Sequence, residues 1–167
     1  TTTRTNRIMA DLTVNINENV TLNNQVIESS HTLTIPSIVN AVKRIVNIGT
    51  NEIGLLGFGA AYNTELSKTY LAGQFDEDGV RYIRITNLDT TNHIALVLKN
   101  ENNDEFGVKV DKGCSFLYCA DLAGGVVDTM DSADAAGITP NSFGDLVDIT
   151  CAADTAACNV EVFVASE

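Results

Sequence analysis

Four cysteines, two histidines, a set of close glycines and two acidic clusters are the positions in this 167-residue chain where chemistry could reside. Cys114 and Cys119 lie five apart, so on one strand they point to opposite faces and cannot chelate one ion together. Cys151 and Cys158 are spaced to be cross-strand neighbours. No CxxC spacing occurs and no charged-then-apolar leader opens the chain, so all four read as reduced core thiols. A Cys151–Cys158 disulfide is the alternative, and a metal site is disfavoured. His31 and His93 offer no route to a triad, and His93, beside a turn, reads as an ordinary polar residue. Gly54, Gly57 and Gly59 make GxxGxG without a following Lys-Ser/Thr, which is the pattern of close packing rather than of a phosphate loop.

The sets Asp76, Glu77, Asp78 and Asp121, Asp128, Asp131, Asp134 hold oxygens of the kind calcium takes, but neither has a regular ligand spacing. Solvated turn acids are the default reading for both. Paired carboxylates for glycoside hydrolysis depend on a spatial separation that sequence does not give. The chain has no Trp, however, and flat aromatic platforms are what sugar sites generally need, which lowers both hydrolase and lectin readings. The expectation is a protein that is not an enzyme and carries no cofactor and no metal.

The elements that would position these residues are strands. Ile83 and Ile85 alternate with Tyr82 and Arg84, and Ile94, Leu96 and Leu98 repeat the pattern after Leu88-Asp89-Thr90-Thr91. A four-residue hairpin loop sets Ile85 against Ile94 and Ile83 against Leu96. Phe106, Val108 and Val110 likewise pair with Tyr118, Phe116 and Cys114 through the turn Asp111-Lys112-Gly113, in which Gly takes the left-handed conformation. A closing hairpin sets Val147 and Ile149 against Val162 and Val160, with Cys151 opposite Cys158.

Upstream, Ile8, Ala10, Leu12, Val14 and Ile16 form the cleanest strand. A turn at Asn17 to Asn19 leads to a second strand at Val20 and Leu22, and a third run, Thr32 to Ile35, is stopped by Pro36. Ile38 to Ile48 mixes a helical stripe with β-branched residues and is read as strand. Gly54 to Tyr62 is extended with close backbone contacts, Thr64 to Leu71 is a short helix or loop, and Asp76 to Gly79 is a turn. The acidic stretch after Ala120 is mostly loop, with Val126-Val127 as a candidate edge strand. The expected architecture is all-β: an antiparallel, jelly-roll-like β-sandwich with at most one short helix, a barrel being the nearest competitor. Residues 1–7 are a flexible N-terminal arm and residues 8–167 a single domain.

Net charge is −12, with 19% charged and 44% hydrophobic residues. Such a chain is repelled by phosphate backbones, so no nucleic-acid partner is expected. Ile53 to Tyr62, the longest weakly polar run, is too short to span a bilayer, so no membrane role is expected. A first residue Thr fits removal of an initiator Met in a cytoplasm.

The sequence RYIRITNLDTTNHIALVL followed by EFGVKVDKGCSFLYC resembles a pattern in structural proteins of tailed bacteriophages. ADTAACNVEVFVASE resembles their closing hairpin. The likeness covers Val80–Cys119 and Asp148–Glu167 and consists of turn-and-strand motifs. It implies a virion component, a capsid decoration or cement protein on the capsid exterior, assembled in the bacterial host cytoplasm. Its partners would be the major capsid protein and itself, as a homotrimer. The interface expected is the arm, with Thr1, Arg4 and Arg7, and the glycine-rich stretch, with Leu55, Leu56, Phe58 and Tyr62. The alternatives are another virion part (head fibre base, head–tail adaptor or tail protein) or a carbohydrate- or receptor-binding β-sandwich.

Overall fold

Alternating aliphatic residues give eleven strands among the described residues, and the neighbour each strand takes decides the architecture. The structure is a computed structural model that describes residues 9–59, 70–119 and 143–167. The strands are β1 (Ala10–Leu22), β2 (Gln25–Ile38), β3 (Asn40–Ile48), β4 (Ile53–Phe58), β5 (Gln74–Phe75) and β6 (Val80–Asn87). They continue as β7 (Ile94–Asn100), β8 (Glu105–Val110), β9 (Ser115–Tyr118), β10 (Leu146–Ala153) and β11 (Cys158–Ser166). The single short helical element among the described residues is a 3₁₀ turn, Glu77–Gly79, capped by the Asp76 carboxylate accepting from the Asp78 N–H.

A four-stranded sheet of order β3-β11-β6-β9 packs on a five-stranded sheet of order β5-β4-β10-β7-β8. Apart from the two-residue β5, which runs parallel to β4, neighbouring strands are antiparallel. From β3 to β11 the chain changes sheet at nearly every connection, and only β7–β8 is a hairpin within one sheet. That is a jelly-roll topology, as expected. Ile48, Leu55, Leu56, Ile83, Ile85, Ile94, Leu96, Ile149 and Val160 are fully buried between the two layers. The alternation that sends these side chains inward is the sequence signal for such a core.

The three hairpins expected between β6 and β7, β8 and β9, and β10 and β11 are not formed. Each of these connections is an arch that carries the chain from one sheet to the other. Ile85 pairs with Phe116 and Ile83 with Tyr118 in one sheet, while Ile94 pairs with Val110 and Leu96 with Val108 in the other. The faces assigned to Ile83, Ile85, Ile94 and Leu96 are nonetheless the inward ones. Two strands that share a core look the same in sequence whether they lie side by side or across the core from one another. Phe106, expected on the same buried face, is 53% exposed on edge strand β8.

Two buried asparagines shape the ends of the sandwich. At the β6–β7 arch the Asn87 amide nitrogen donates to the carbonyls of Asn92 (2.9 Å) and Val110 (3.3 Å), and its oxygen accepts from the Asp89 N–H (3.0 Å). The Asp89 carboxylate then accepts from the N–H groups of Asn92 and Thr91, which hold its pKa below the ordinary value. At the β7–β8 hairpin the Asn100 oxygen accepts from the N–H groups of Asn102 and Asp104, and its nitrogen donates to the Asp104 carboxylate. Asp111-Lys112-Gly113 turns as expected, with Gly113 at φ 70° and the Cys114 N–H on the Asp111 carbonyl.

Upstream of the sandwich, β1 and β2 form a separate two-stranded ribbon. The turn expected at Asn17 to Asn19 is absent, because β1 runs straight through it. The chain reverses at Asn23-Asn24 instead, with φ of 50° and 63°, in a two-residue connection joining Leu22 to Gln25. Asn tolerates this left-handed geometry, which suits the twist of a tight hairpin. Pro36 does not end its strand either. It lies in a bulge where Pro36 and Ser37 together oppose Asp11, and Ser37 takes φ 64°. The bulge relieves the missing N–H and returns Ile38 to the face that carries Ile35. Read as strands, Ile38–Ile48 and the start of the glycine-rich stretch are borne out as β3 and β4.

Candidate functional site

The ribbon has one face that is mostly apolar, interrupted where Glu18 opposes Ser29 and by His31 and Gln25. Leu12 opposes Ile35, Val14 opposes Leu33, Ile16 opposes His31 and Val20 opposes Ile27, with Leu22 in the same row. The opposite face is polar apart from Val26: Asn15 accepts from the Thr32 hydroxyl and Asn17 from the Ser30 hydroxyl, both at 2.8 Å. A period-2 ribbon with one apolar face is a strand pair built to lie on something.

Among the described residues, only its root does so. Leu12, Val14 and Ile35 pack on Ile38, Tyr82 and Ala165, with Phe163 alongside, on the outer face of the four-stranded sheet. The Tyr82 and Phe163 rings meet edge to face at 5.9 Å, and burial raises the Tyr82 pKa. Beyond this root the same apolar row runs on uncovered. Ile16 is 42% exposed, Val20 46%, Leu22 56% and Ile27 57%. An unburied apolar row of this length is a mark of an interaction surface.

Next to the root, the outward residues of β3, β11 and β6 carry an ion-pair row. Glu161 accepts from Arg84 (2.6 Å) and pairs with Lys43 (3.0 Å), which holds its carboxyl below the usual range. Ile45, 59% exposed, and Leu117, 39% exposed, flank that row on the same outer face.

Of the seven residues expected at the interface, three are described. Leu55 and Leu56 are fully buried and Phe58 is 6% exposed, so all three line the core rather than an outer surface. Thr1, Arg4, Arg7 and Tyr62 lie outside the described residues, as do most of Thr64 to Leu71, the stretch around Val126-Val127, and the set Asp121, Asp128, Asp131 and Asp134. The ribbon residues were legible as strands. Their lack of cover was not, since alternation reports a face and not what lies against it.

All four cysteines are free, but only Cys151 and Cys158 are buried, whereas Cys114 and Cys119 are exposed. Cys151 and Cys158 are not cross-strand neighbours, because β10 and β11 belong to different sheets. Burial pushes the Cys151 thiol up to about 12. His93 Nδ1 lies 3.3 Å from the Asp154 carboxylate at the β10–β11 arch, and His31 is exposed on the ribbon. Among the described residues, no group of three or more His, Cys, Asp or Glu is arranged to hold a metal ion. Around Asp76 to Asp78 the carboxylates crowd one another, so burial and the charges of Asp145, Asp78, Asp76 and Glu101 raise the pKa of Glu77. On the five-stranded sheet Tyr70 covers Gly57 and donates to the buried Asp148 carboxylate at 3.4 Å. Burial, with the proximity of that carboxylate, raises the Tyr70 pKa.

No model of a known protein family matches the chain, and no curated protein matches it at a significant level.

Proposed function

We propose that this chain is a structural protein of a tailed-phage virion, a decoration or cement protein that sits on the capsid exterior and bridges neighbouring major capsid subunits. The observation that carries the reading is the projecting ribbon with its uncovered apolar row, set on a jelly-roll body. An added protein of this kind stabilises a shell by burying surface at many repeated contacts, each weak and together strong. The likeness of Val80–Cys119 and Asp148–Glu167 to phage structural proteins supports the same reading. So does a net charge of −12, which suits the outside of a particle packed with nucleic acid.

The test is reconstitution. Purified chain is mixed with emptied capsids lacking it, and binding is followed by co-sedimentation and by the melting temperature of the shell. Saturable binding that raises the melting temperature is expected. A chain that neither sediments with the shell nor changes its melting would overturn the proposal, and a ring of high order in solution would favour a head–tail adaptor instead.

A further inference from the structure

We infer that the distal ribbon is an exchange arm for a second copy of this chain: its apolar face lies across the outer face of the neighbour's four-stranded sheet, and an arm is received in return. Three observations lead there.

The first is continuity. The row Leu12, Val14, Ile16, Glu18, Val20, Leu22 is one face of one strand, apolar but for Glu18, and its first two members already pack on the outer sheet face at Tyr82 and Ala165. The surface suited to the rest of the row is therefore more of the same kind of surface. Ile45 and Leu117 provide it, exposed on that sheet beyond the reach of the chain's own ribbon root.

The second is charge. Within the distal apolar row the one acidic residue is Glu18, flanked by Ile16 and Val20. Laid on a purely apolar surface, it would be a buried unpaired charge, which is costly. The receiving face carries Lys43, Arg84 and Glu161, a local excess of one positive charge on a chain of net −12. The Lys43 side chain is 60% exposed, leaving it open to a second carboxylate.

The third is area. The distal ribbon spans eight residue pairs, from Asn15 opposite Thr32 to Leu22 opposite Gln25. At about 3.3 Å per residue and about 4.8 Å per strand, one face covers roughly 250 Å². One arm on one neighbour removes about 500 Å² in total, half of the roughly 1,000 Å² that a specific interface needs. Exchange of two arms supplies the missing half, and only a partner that itself carries such an arm can exchange one. A twofold pair satisfies this, because both arms then lie in the same interface.

This inference gives a second copy the ribbon face on which the virion reading rests, so the two are tested apart: sedimentation of the purified chain bears on this inference alone, and capsid binding on the other. The experiment is sedimentation of the full chain over a concentration series, beside the arm variant Val20→Glu/Ile27→Glu, the sheet variant Lys43→Glu, and the swap Glu18→Lys/Lys43→Glu. All these side chains are exposed, and circular dichroism with thermal melting checks that each variant folds. Expected are an oligomeric wild type, a monomeric arm variant, weakened association in Lys43→Glu and recovery in the swap. A monomeric wild type overturns the inference, as does an oligomer that survives the arm variant. Loss with the arm variant but not with Lys43→Glu overturns the placement on the sheet in favour of arms that pair with each other. A monomer whose arm variant loses capsid binding assigns the arm to the shell instead, and likewise overturns the inference.

Discussion

Replacing Asn87 tests whether the β6–β7 connection is a sheet-crossing arch held by one side chain. Asn87 is fully buried, and its three side-chain hydrogen bonds tie the end of β6 to the arch at Asp89 and Asn92 and to β8 at Val110. In Asn87→Ala the buried Val110 carbonyl loses this bond, at about 1–3 kcal/mol, and two part-buried bonds worth about 0.5–1.5 kcal/mol each are lost as well. The expected destabilisation is about 3 kcal/mol, or a fall in Tm of roughly 6–12 °C for a domain of this size. Guanidinium unfolding followed by circular dichroism measures it, with an unchanged m-value showing that the same surface is exposed. Asn87→Asp keeps the acceptor for the Asp89 N–H but sets a carboxylate against two carbonyls. Its cost is therefore large at neutral pH and shrinks as the introduced carboxyl is protonated, the charge's share vanishing as pH falls to the unfolded carboxyl's value of about 4. As a control, Thr155→Ala, which removes only an exposed bond to the Asn92 side chain, changes stability by no more than about 0.5 kcal/mol. If Asn87→Ala cost no more than that control, the arch would not depend on this residue and the reasoning would fail.

Glu77→Gln relieves a carboxylate whose pKa is raised by burial and four acidic neighbours. A raised carboxyl opposes folding above its folded pKa and stops doing so as pH falls toward its unfolded value, so the variant is more stable than wild type at pH 7, by less than about 1 kcal/mol, and the gain vanishes near pH 4 in thermal melts. Gly57→Ala drives a methyl to 2.5 Å from the Tyr70 ring, costing about 1–3 kcal/mol in chemical unfolding; adding Tyr70→Ala removes the clash, and a double variant no better than additive refutes it. In a thiol-reactivity assay under native conditions, Cys114 and Cys119 react, Cys119 slowed by the burial that raises its thiol pKa, while Cys151 and Cys158 react only on unfolding; four equally fast thiols would contradict the burial described.

Much of this protein is written in its local pattern. The period-2 runs at Ala10–Val14, Val80–Ile85 and Ile94–Leu98 give strands and their apolar faces, and Gly113 takes the left-handed conformation expected of it, whereas the ribbon turns at Asn23-Asn24 and not at Asn17 to Asn19. Mean composition and strand density suffice for the sandwich. What alternation cannot encode is the identity of the neighbour. Ile85 and Ile94 point into the same core from opposite sheets, and Val160 and Ile149 do the same, so each pair satisfies the pattern of a hairpin while forming none. Loop length fails as a guide here, because a short loop can close a hairpin or step across a gap of about 10 Å between layers.

The same limit governs the candidate site. Leu55, Leu56 and Phe58, chosen for their glycine-rich setting, are sealed in the core, whereas Ile16, Val20 and Ile27 carry an equally apolar pattern and stand in solvent. Residue types and spacing determine that both sets face something apolar. Whether that something belongs to the same chain is decided by where the sheets end, and the sheets end before the ribbon does.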